Sequence, residues 1–231
     1  MSFEDDLREQ LSSIFGTAWD VRESESVPDS DDVTLGNDAV KLSATVLYAD
    51  LADSTTMVRD KKKEFCAEVY KAYLDSACRV IRQKNGEITA FDGDRVMAVF
   101  VGSSKNTSAV EAALGIKWAV TVINEERGKK WTGSSDVRQS VGVDTSELWI
   151  AKTGIRGSND LVWVGTAANY AAKLSALGYG DYSTWITEAV YDSMNESIRL
   201  NLAKSQNIWE STTWDQQSTP IYKSCWWRKI N

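Results

Sequence analysis

The sequence predicts an α+β protein of the ferredoxin-like split βαβ type, an antiparallel sheet with helices packed on one face. Two observations predict this class. Strand-like and helix-like patterns alternate in the order β-α-β-β-α-β from about residue 40 to residue 150. The pair Asp92-Gly93, a strong hairpin signal, separates the two adjacent strands of that order. The length of 231 residues suits one domain with an appendage or two small domains.

The first element is an amphipathic helix from Phe3 to Phe15, with apolar residues at helical spacing and Gly16 as its stop. Residues 20–38 are acidic and polar and contain Pro28, which is typical of a linker or a covering loop. We therefore divide the chain into an N-terminal helix with an acidic linker, 1–38, and a folded domain, 39–231.

The elements of the folded domain follow from periodicity. Alternating or β-rich runs predict strands, and apolar residues three to four apart predict helices. The predicted strands are Val40–Tyr48, Glu87–Phe91, Arg95–Val101, Val137–Val143, Leu148–Ile150 and Leu161–Val164. The predicted helices are Glu64–Gln83, Asn106–Glu126 and Asn169–Leu177, and a closing β-ribbon is predicted at Asn207–Trp214 and Pro220–Trp227.

The charge distribution excludes several function classes. The net charge is −7, but residues 1–38 alone carry −9, so the folded domain is close to neutral and can accept an anionic ligand. Nothing resembles the basic stripe of a nucleic-acid-binding protein.

The longest apolar run, Val96–Val101, is too short to span a membrane. No secretory signal is visible, so we expect a cytoplasmic protein.

The residue types present also limit the chemistry. The chain has no histidine, which excludes Ser-His-Asp and Cys-His catalysis and imidazole-bound zinc. Its three cysteines are odd in number and form no CxxC pair, which indicates reduced thiols. Any catalysis must therefore come from carboxylates, lysine, arginine, asparagine, hydroxyls and backbone groups.

One strand leads directly into an acidic, hydroxyl-rich turn, Tyr48-Ala-Asp-Leu-Ala-Asp-Ser-Thr55. The backbone N–H groups of such a turn, together with the N-terminus of the next helix, can hold phosphate. The alternative interpretation is that Asp53 or Ser54 merely caps that helix.

A second acidic position, Asp94, lies in the predicted hairpin. If the first strand neighbours this hairpin, Asp50 and Asp94 converge. Two carboxylates at one point repel each other, and a hard divalent cation relieves the repulsion. Such a pair suits a triphosphate site with two metal ions, whereas the alternative is an ordinary tight turn.

A third segment places Asn169 and Lys173 four residues apart, on one face of a predicted short helix. An amide and an ammonium group displayed together can hold a ribose and the charge that develops on a phosphate. Taken separately, each residue is better explained as an ordinary surface residue.

These three segments, in this order and spacing, resemble the class III nucleotidyl cyclases, the catalytic domains of adenylate and guanylate cyclases. The family pattern is aromatic-x-Asp-aliphatic-x-Gly-x-Thr, then Gly-Asp after a strand, then Val-Gly-x-x-x-Asn-x-x-x-Arg. Tyr48–Thr55, Gly93-Asp94 and Val164–Lys173 match it in turn. The resemblance covers about residues 40–190 and implies that residues 39–231 are a cyclase catalytic domain with the class III cyclase homology fold.

The resemblance implies roles for individual residues. Asp50 and Asp94 would bind two divalent ions, Mn²⁺ or Mg²⁺, with the backbone carbonyl of Leu51 as a further ligand. Asn169 would orient the ribose. Lys173 stands where the family has a transition-state arginine, so it keeps the charge but lacks the bidentate fork.

The phosphate loop implied by the resemblance contains Asp53, Ser54 and Thr55. Asp53 replaces the usual glycine of the family, which adds a negative charge near the phosphates. This departure and Lys173 are the two points at which the chain differs from the family's catalytic pattern.

The family positions that select a purine base fall on Ala90 and Val162, neither of which can hydrogen-bond a base edge. In this respect the chain is similar to the pyrimidine cyclases of bacterial Pycsar antiphage systems, whose cyclic UMP or cyclic CMP activates a separate effector. Tyr48 is expected to fill the space beside a smaller base, with core packing as its alternative role. Arg95 is expected to contact a base carbonyl or a phosphate.

The resemblance therefore implies a homodimeric uridylate cyclase that converts UTP into 3′,5′-cyclic UMP and diphosphate in antiviral defence. Asp50 and Asp94 of one subunit would face Asn169 and Lys173 of the other, with no role for nucleic acid or membrane. Two alternatives stay open: a cytidylate cyclase acting on CTP, and a nucleotide-binding regulatory module that has lost catalysis.

Overall fold

The computed structural model describes residues 2–178, 181–203, 205–215 and 217–230. The strands are β1 (Asp20–Glu23), β2 (Asp38–Leu51), β3 (Glu87–Asp92), β4 (Arg95–Phe100), β5 (Gln139–Ile155), β6 (Ser158–Val164), β7 (Thr184–Thr187), β8 (Glu210–Trp214) and β9 (Thr219–Ser224). The helices are α1 (Phe3–Gly16), α2 (Ser54–Asp60), α3 (Lys63–Gln83), α4 (Lys105–Lys130), α5 (Thr166–Ser175), α6 (Glu188–Ser193) and α7 (Glu196–Arg199).

These residues form two compact units. The larger unit comprises residues 44–146 and 166–230, and the smaller unit comprises residues 2–43 and 147–165. Strands β2 and β5 contribute residues to both units.

The sheet of the larger unit has the strand order β3-β4-β2-β5-β7-β9-β8. Strand β4 pairs antiparallel with both β2 and β3, and the first four positions of the order are those of a split βαβ sheet. The predicted α+β fold class is confirmed. Strand β7 pairs parallel with β5, so the complete sheet is mixed, and β9 and β8 extend it as the predicted closing ribbon.

Helices α3 and α4 cover one face of this sheet. The main hydrophobic core contains Tyr73 and Ile116 from these helices, packed with Leu47 and Ala49 of β2 and Val141 of β5. Their apolar residues recur at helical spacing, so the buried stripe of each helix faces the alternate, inward side chains of the strands.

Helix α5 corresponds to the helix predicted at Asn169–Leu177. It lies on the opposite face of the sheet, whereas the predicted fold class has all its helices on one face. Gly142 alternates with the core residues Val141 and Val143, and an added Cβ at Gly142 would lie 2.1 Å from the backbone oxygen of Ala171 in α5. Leu174 of α5 packs with Trp185 and other residues of β7, β8 and β9 in a second, smaller core. Glycine at this position allows the helix backbone to rest directly on β5.

The smaller unit contains α1, β1 and β6. Helix α1 buries none of its residues. Strand β1 pairs parallel with Asp38–Lys41 of β2, and β6 pairs antiparallel with the second half of β5. The prediction that residues 20–38 form only a linker or loop was therefore wrong for Asp20–Glu23, because backbone pairing with β2 makes a strand of a polar segment that lacks the usual β-rich composition.

Two further predictions of elements need correction. Separate strands were predicted at Val137–Val143 and Leu148–Ile150, but Gln139–Val143 and Leu148–Ile150 belong to the single long strand β5, and Val137 and Arg138 precede it. Strand β7 was not predicted, because four residues are too few for a periodic signal. Among the described residues, no helix has the length and apolarity needed to cross a membrane.

Candidate active site

Asp50 and Asp94 converge at one end of the sheet in the larger unit. Ala49 pairs with Val96, so Asp50 lies beside the start of β4, and Asp94 lies in the turn that precedes this strand. Gly93 has a φ of +63°, which permits the tight turn. Burial, and next the charge of Asp94, raise the pKa of Asp50 to about 6.

The Asp94 carboxylate has an unsatisfied oxygen. Its Oδ2 atom is buried and has no hydrogen-bond partner. A buried carboxylate oxygen without a partner is costly, and a divalent cation would satisfy it together with Asp50. Oxygen donors of this kind, with the backbone carbonyl of Leu51, suit Mg²⁺ or Mn²⁺.

The donor set of this site is small. No group of three or more Cys, Asp or Glu side chains that could hold a metal occurs in the described part of the chain. Magnesium is commonly held by one or two carboxylates together with substrate phosphates. The pair of carboxylates therefore fits an ion that arrives with a phosphate ligand better than a permanently bound structural ion.

Two tyrosines of α3 approach the carboxylates, and the sequence analysis did not single them out. The hydroxyl of Tyr73 is buried without a hydrogen-bond partner. Burial, then the charges of Asp50 and Asp94, raise the pKa of Tyr73 well above its ordinary value. Tyr70 forms a side-chain hydrogen bond with Ser54.

The turn between β2 and α2 has a left-handed residue at Asp53, with φ 59° and ψ 22°. This conformation is the one that glycine adopts freely and that aspartate tolerates, so Asp53 occupies a position at which a glycine would be unstrained. Its carboxylate makes no capping hydrogen bond to α2. Asp53 therefore takes the N-cap position of α2 without the side-chain hydrogen bond that a capping aspartate usually makes.

The Asp53 side chain instead accepts a hydrogen bond from Arg138. The backbone N–H of Ala52 also donates to the carbonyl oxygen of Arg138, at 2.9 Å. Residue 138 therefore contacts the turn through its side chain and through its backbone. Thr55 of the same turn is exposed.

Strand β5 lies next to β2, and the sequence analysis did not single out its residue Ser140. The Ala52–Arg138 hydrogen bond and the 3.1 Å contact between the hydroxyls of Thr45 and Thr145 define an antiparallel register for β2 and β5. In that register Ser140 lies opposite Asp50. Ser140 is 2% exposed, and its hydroxyl has no hydrogen-bond partner. Only strand pairing reveals this neighbour, and the sequence carries no local signal for it.

The proposed base-contacting residues occupy adjacent strands. Tyr48 pairs with Met97, which pairs with Ala90, so the three side chains share one face of the sheet. The guanidinium carbon of Arg95 lies 5.5 Å from the centre of the Tyr48 ring, a cation–π contact. Burial raises the pKa of Tyr48, and Arg95 opposes this shift.

Arg95 and Val162 belong to different units of the chain. Arg95 also forms an ion pair with Asp92, at 2.6 Å. Val162 belongs to the smaller unit, where it pairs with Ala151 on β5 and is 37% exposed. The roles of Tyr48, Arg95, Ala90 and Val162 toward a base stay predictions.

Asn169 and Lys173 are exposed side chains one turn apart on α5. Helix α5 rests on Gly142 of β5 and packs on β7, whereas Asp50 belongs to β2, on the other side of β5. The side chains with the largest effects on the pKa of Asp50 are Asp94 and Arg95. The structure therefore brings Asp50 and Asp94 together, whereas Asn169 and Lys173 lie on a helix that rests on the next strand, β5.

Comparison with known proteins gives full-length matches, although no protein-family model matches the chain. The chain is 45% identical over 233 residues to a uridylate cyclase of Xanthomonas perforans, covering 99% of each chain. It is 46% identical over 229 residues to a uridylate cyclase of Burkholderia cepacia, covering 98% of each chain.

Among solved structures, the adenylyl cyclase CyaB of P. aeruginosa matches with a TM-score of 0.68. The match covers 84% of this chain and 99% of that chain, at 17% sequence identity. At this identity the similarity establishes the fold, and the fold is that of a nucleotidyl cyclase domain.

Proposed function

This chain belongs to the uridylate cyclase family, within the class III nucleotidyl cyclases, and we propose that it converts UTP into 3′,5′-cyclic UMP and diphosphate. The observation that carries the proposal is the convergence of Asp50 and Asp94, with a buried, unsatisfied oxygen on Asp94. The chain is 45% identical to a uridylate cyclase over nearly its full length, which supports assigning this pair as the metal ligands of the reaction.

Asp50 and Asp94, with the carbonyl of Leu51, would hold two divalent ions, Mn²⁺ or Mg²⁺. Such ions supply positive charge that activates the ribose 3′-hydroxyl and stabilises the diphosphate leaving group. The backbone N–H groups of Asp53, Ser54 and Thr55, at the start of α2, would bind a phosphate.

Asn169 and Lys173 complete the site from α5. The amide of Asn169 hydrogen-bonds the ribose and orients its 3′-hydroxyl toward the α-phosphorus. The ammonium group of Lys173 stabilises the negative charge that develops on the transferring phosphate. Both side chains are exposed, so they are accessible to a ligand.

A homodimer with shared sites is part of this proposal. Asp50 lies on β2, whereas Asn169 and Lys173 lie on α5, which rests on β5 and packs on β7. In the proposed dimer, a second copy supplies Asn169 and Lys173 to the aspartates of the first. A two-fold arrangement would create two equivalent shared sites.

The residues around the base position favour uracil over a purine. Ala90 and Val162 offer no hydrogen bonds to a purine edge. Uracil and cytosine each present two acceptors and one donor group, so Arg95, which can only donate, does not by itself distinguish them. The choice of UTP is supported by the similarity to uridylate cyclases. A cytidylate cyclase, making cyclic CMP from CTP, is the second candidate, and a regulatory module that binds nucleotide without turnover is the third.

We also propose that cyclic UMP made by this protein is an antiviral second messenger in the cytoplasm, sensed by a separate effector protein. The similarity of the motif residues to those of the pyrimidine cyclases supports this role. It does not require the chain to bind nucleic acid or membrane.

The test is incubation of the purified chain with each of the four nucleoside triphosphates and Mn²⁺ or Mg²⁺, with product identification by mass spectrometry. We expect cyclic UMP and diphosphate from UTP, and no product from the Asp50→Ala variant. Cyclic CMP as the main product would favour the cytidylate alternative. Nucleotide binding without diphosphate release would favour the regulatory module.

A further inference from the structure

We propose that Arg138 is a positioning residue of the phosphate loop, which neutralises Asp53 and holds the turn at Asp53 in the conformation that glycine otherwise provides. The inference rests on the proposed function for the identity of the ligand, a nucleoside triphosphate. It concerns a residue that no motif of the sequence identifies.

The first observation is the conformation of the turn. Asp53 is one of the few non-glycine residues with a positive φ among those described. A left-handed aspartate is tolerated, but it retains a strain that glycine lacks. Two hydrogen bonds oppose this strain, one from the Arg138 side chain to Asp53 and one from the backbone of Ala52 to the Arg138 carbonyl.

The second observation is charge. Asp53 lies between the end of β2, which carries the proposed metal ligand Asp50, and the start of α2. The proposed phosphates bind at this turn. An unpaired carboxylate there would repel a triphosphate. The guanidinium of Arg138 cancels that charge. Asp136, the acidic residue closest to Arg138 in sequence, is engaged by Arg127 at 2.8 Å and does not compete for Arg138.

The third observation is exposure. Both side chains of the Asp53–Arg138 pair are largely exposed. Exposed ion pairs contribute little to folding stability, so the pair is poorly explained as a structural bond. The pair lies in the proposed phosphate loop, so its role is electrostatic instead. Arg138 allows an acidic residue, Asp53, to occupy a glycine position beside the bound phosphate.

The experiment is a double-mutant cycle in the full-length protein with Arg138→Ala, Asp53→Gly and both changes together. We expect Arg138→Ala to raise the KM for UTP and the Kd for inorganic tripolyphosphate with Mg²⁺ by about 10-fold, with kcat changed much less. In the Asp53→Gly background the same change should cost less than about 3-fold, since no carboxylate is left to neutralise. Arg138→Lys should restore part of the affinity, because it keeps the positive charge.

A matched control is Arg59→Ala, which breaks another exposed Arg–Asp pair, with Asp60 in the same short helix. This variant should leave the KM for UTP and the tripolyphosphate affinity unchanged. Thermal unfolding should change little in all of these variants, which separates positioning from folding.

Three outcomes would overturn the inference. An Arg138→Ala variant with unchanged KM and unchanged tripolyphosphate affinity would show that the pair has no role in binding. An equal cost of Arg138→Ala with and without Asp53 would show that Arg138 acts on the ligand directly. An equal effect of Arg59→Ala would show that surface charge alone is responsible. If the wild type makes no cyclic UMP but tripolyphosphate binding follows the expected cycle, the proposed function fails and this inference stands.

Discussion

Asp50 and Asp94 meet at one end of the sheet, although helix α3 and strand β3 separate them in the sequence. The register of β2 and β4 fixes this meeting, because it is set by backbone hydrogen bonds and not by the carboxylates themselves. The fold therefore forces together two groups that repel each other. Burial and repulsion raise the pKa of Asp50 to about 6, and one oxygen of Asp94 is left without a partner.

Divalent ions should stabilise the wild-type protein but not an Asp94→Asn variant. An ion that binds only the folded state adds about 2.7 kcal/mol of stability at a free concentration 100 times its Kd. Urea unfolding with and without Mn²⁺ measures this increment. Cyclase activity of Asp94→Asn should fall by at least about 100-fold, since even outer partners of metal ligands contribute 10- to 100-fold. Equal stabilisation of both proteins by Mn²⁺ would argue against Asp94 as a ligand.

The metal-free protein should lose stability as the pH rises from about 4 to above 6. The pKa of Asp50 is raised from 3.8 to about 6 in the folded state, so between these values the folded protein holds a proton that the unfolded chain has released. Stability is therefore highest below pH 4 for this group and decreases as Asp50 ionises. We expect a loss of about 1–2 kcal/mol after solvent screening is taken into account.

The control for this pH dependence is Asp50→Asn, which cannot ionise. The measured quantity is the free energy of unfolding of the wild type minus that of Asp50→Asn, with a chelator present. This difference should decrease as the pH rises. A difference that stays constant from pH 4 to pH 7 would mean that Asp50 ionises in the folded state as easily as in the unfolded chain.

Hydrophobic periodicity predicted most of the framework of this site. Strands β3 and β4 and helix α3 carry local patterns, and the β-α-β-β-α-β order then requires the first strand to neighbour the hairpin. The meeting of Asp50 and Asp94 follows from that topology alone. Strand β1 was missed because its polar residues form a strand only by pairing with β2.

The position of Arg138 beside the Asp53 turn, and that of Ser140 opposite Asp50, were beyond sequence reasoning. Both depend on how the segment from Arg138 into β5 aligns with β2, which long-range pairing sets and no local pattern encodes. The left-handed conformation of Asp53 was equally hidden, since aspartate is also a common helix cap. Val162 lies in the smaller unit, so its relation to a base stays a prediction.

Mixing Asp50→Ala chains with Lys173→Ala chains should restore activity that neither variant has alone. In a heterodimer, one of the two shared sites combines the intact Asp50 of one chain with the intact Lys173 of the other. Random pairing of equal amounts predicts about one quarter of wild-type activity. The measurement is cyclic UMP formation after co-refolding, with heterodimer content verified by two affinity tags. Inactive heterodimers would count against a site shared between subunits.

Loss of the Lys173 ammonium group should affect turnover more than binding. Lys173→Ala removes a charge proposed to act on the transition state, so we expect kcat to fall by about 100- to 1,000-fold with little change in KM. Lys173→Arg should retain most of the activity or exceed it, because its fork binds phosphate oxygens in a bidentate manner. Steady-state kinetics with UTP distinguish these results from a KM effect, which would indicate simple substrate binding.

Gly142→Ala should displace α5 and reduce both stability and activity. A Cβ at this position would lie 2.1 Å from the backbone oxygen of Ala171 and 2.5 Å from the backbone nitrogen of Ser175, and backbone atoms cannot rotate away. Overpacking of this kind costs about 1–3 kcal/mol, and a 1 Å shift of a catalytic group costs about 100-fold in rate.

The matched control for Gly142→Ala is Gly128→Ala in α4, where nothing lies within 4 Å of an added Cβ. Alanine is favoured over glycine within a helix by about 0.5–1 kcal/mol, so this variant should be more stable than wild type and equally active. Urea unfolding and cyclic UMP formation measure both effects. Because Asn169 and Lys173 are carried by α5, a Gly142→Ala protein that folds with normal stability but loses kcat would assign the loss to the position of this helix. Full stability together with full activity would instead show that α5 does not need the close approach to β5.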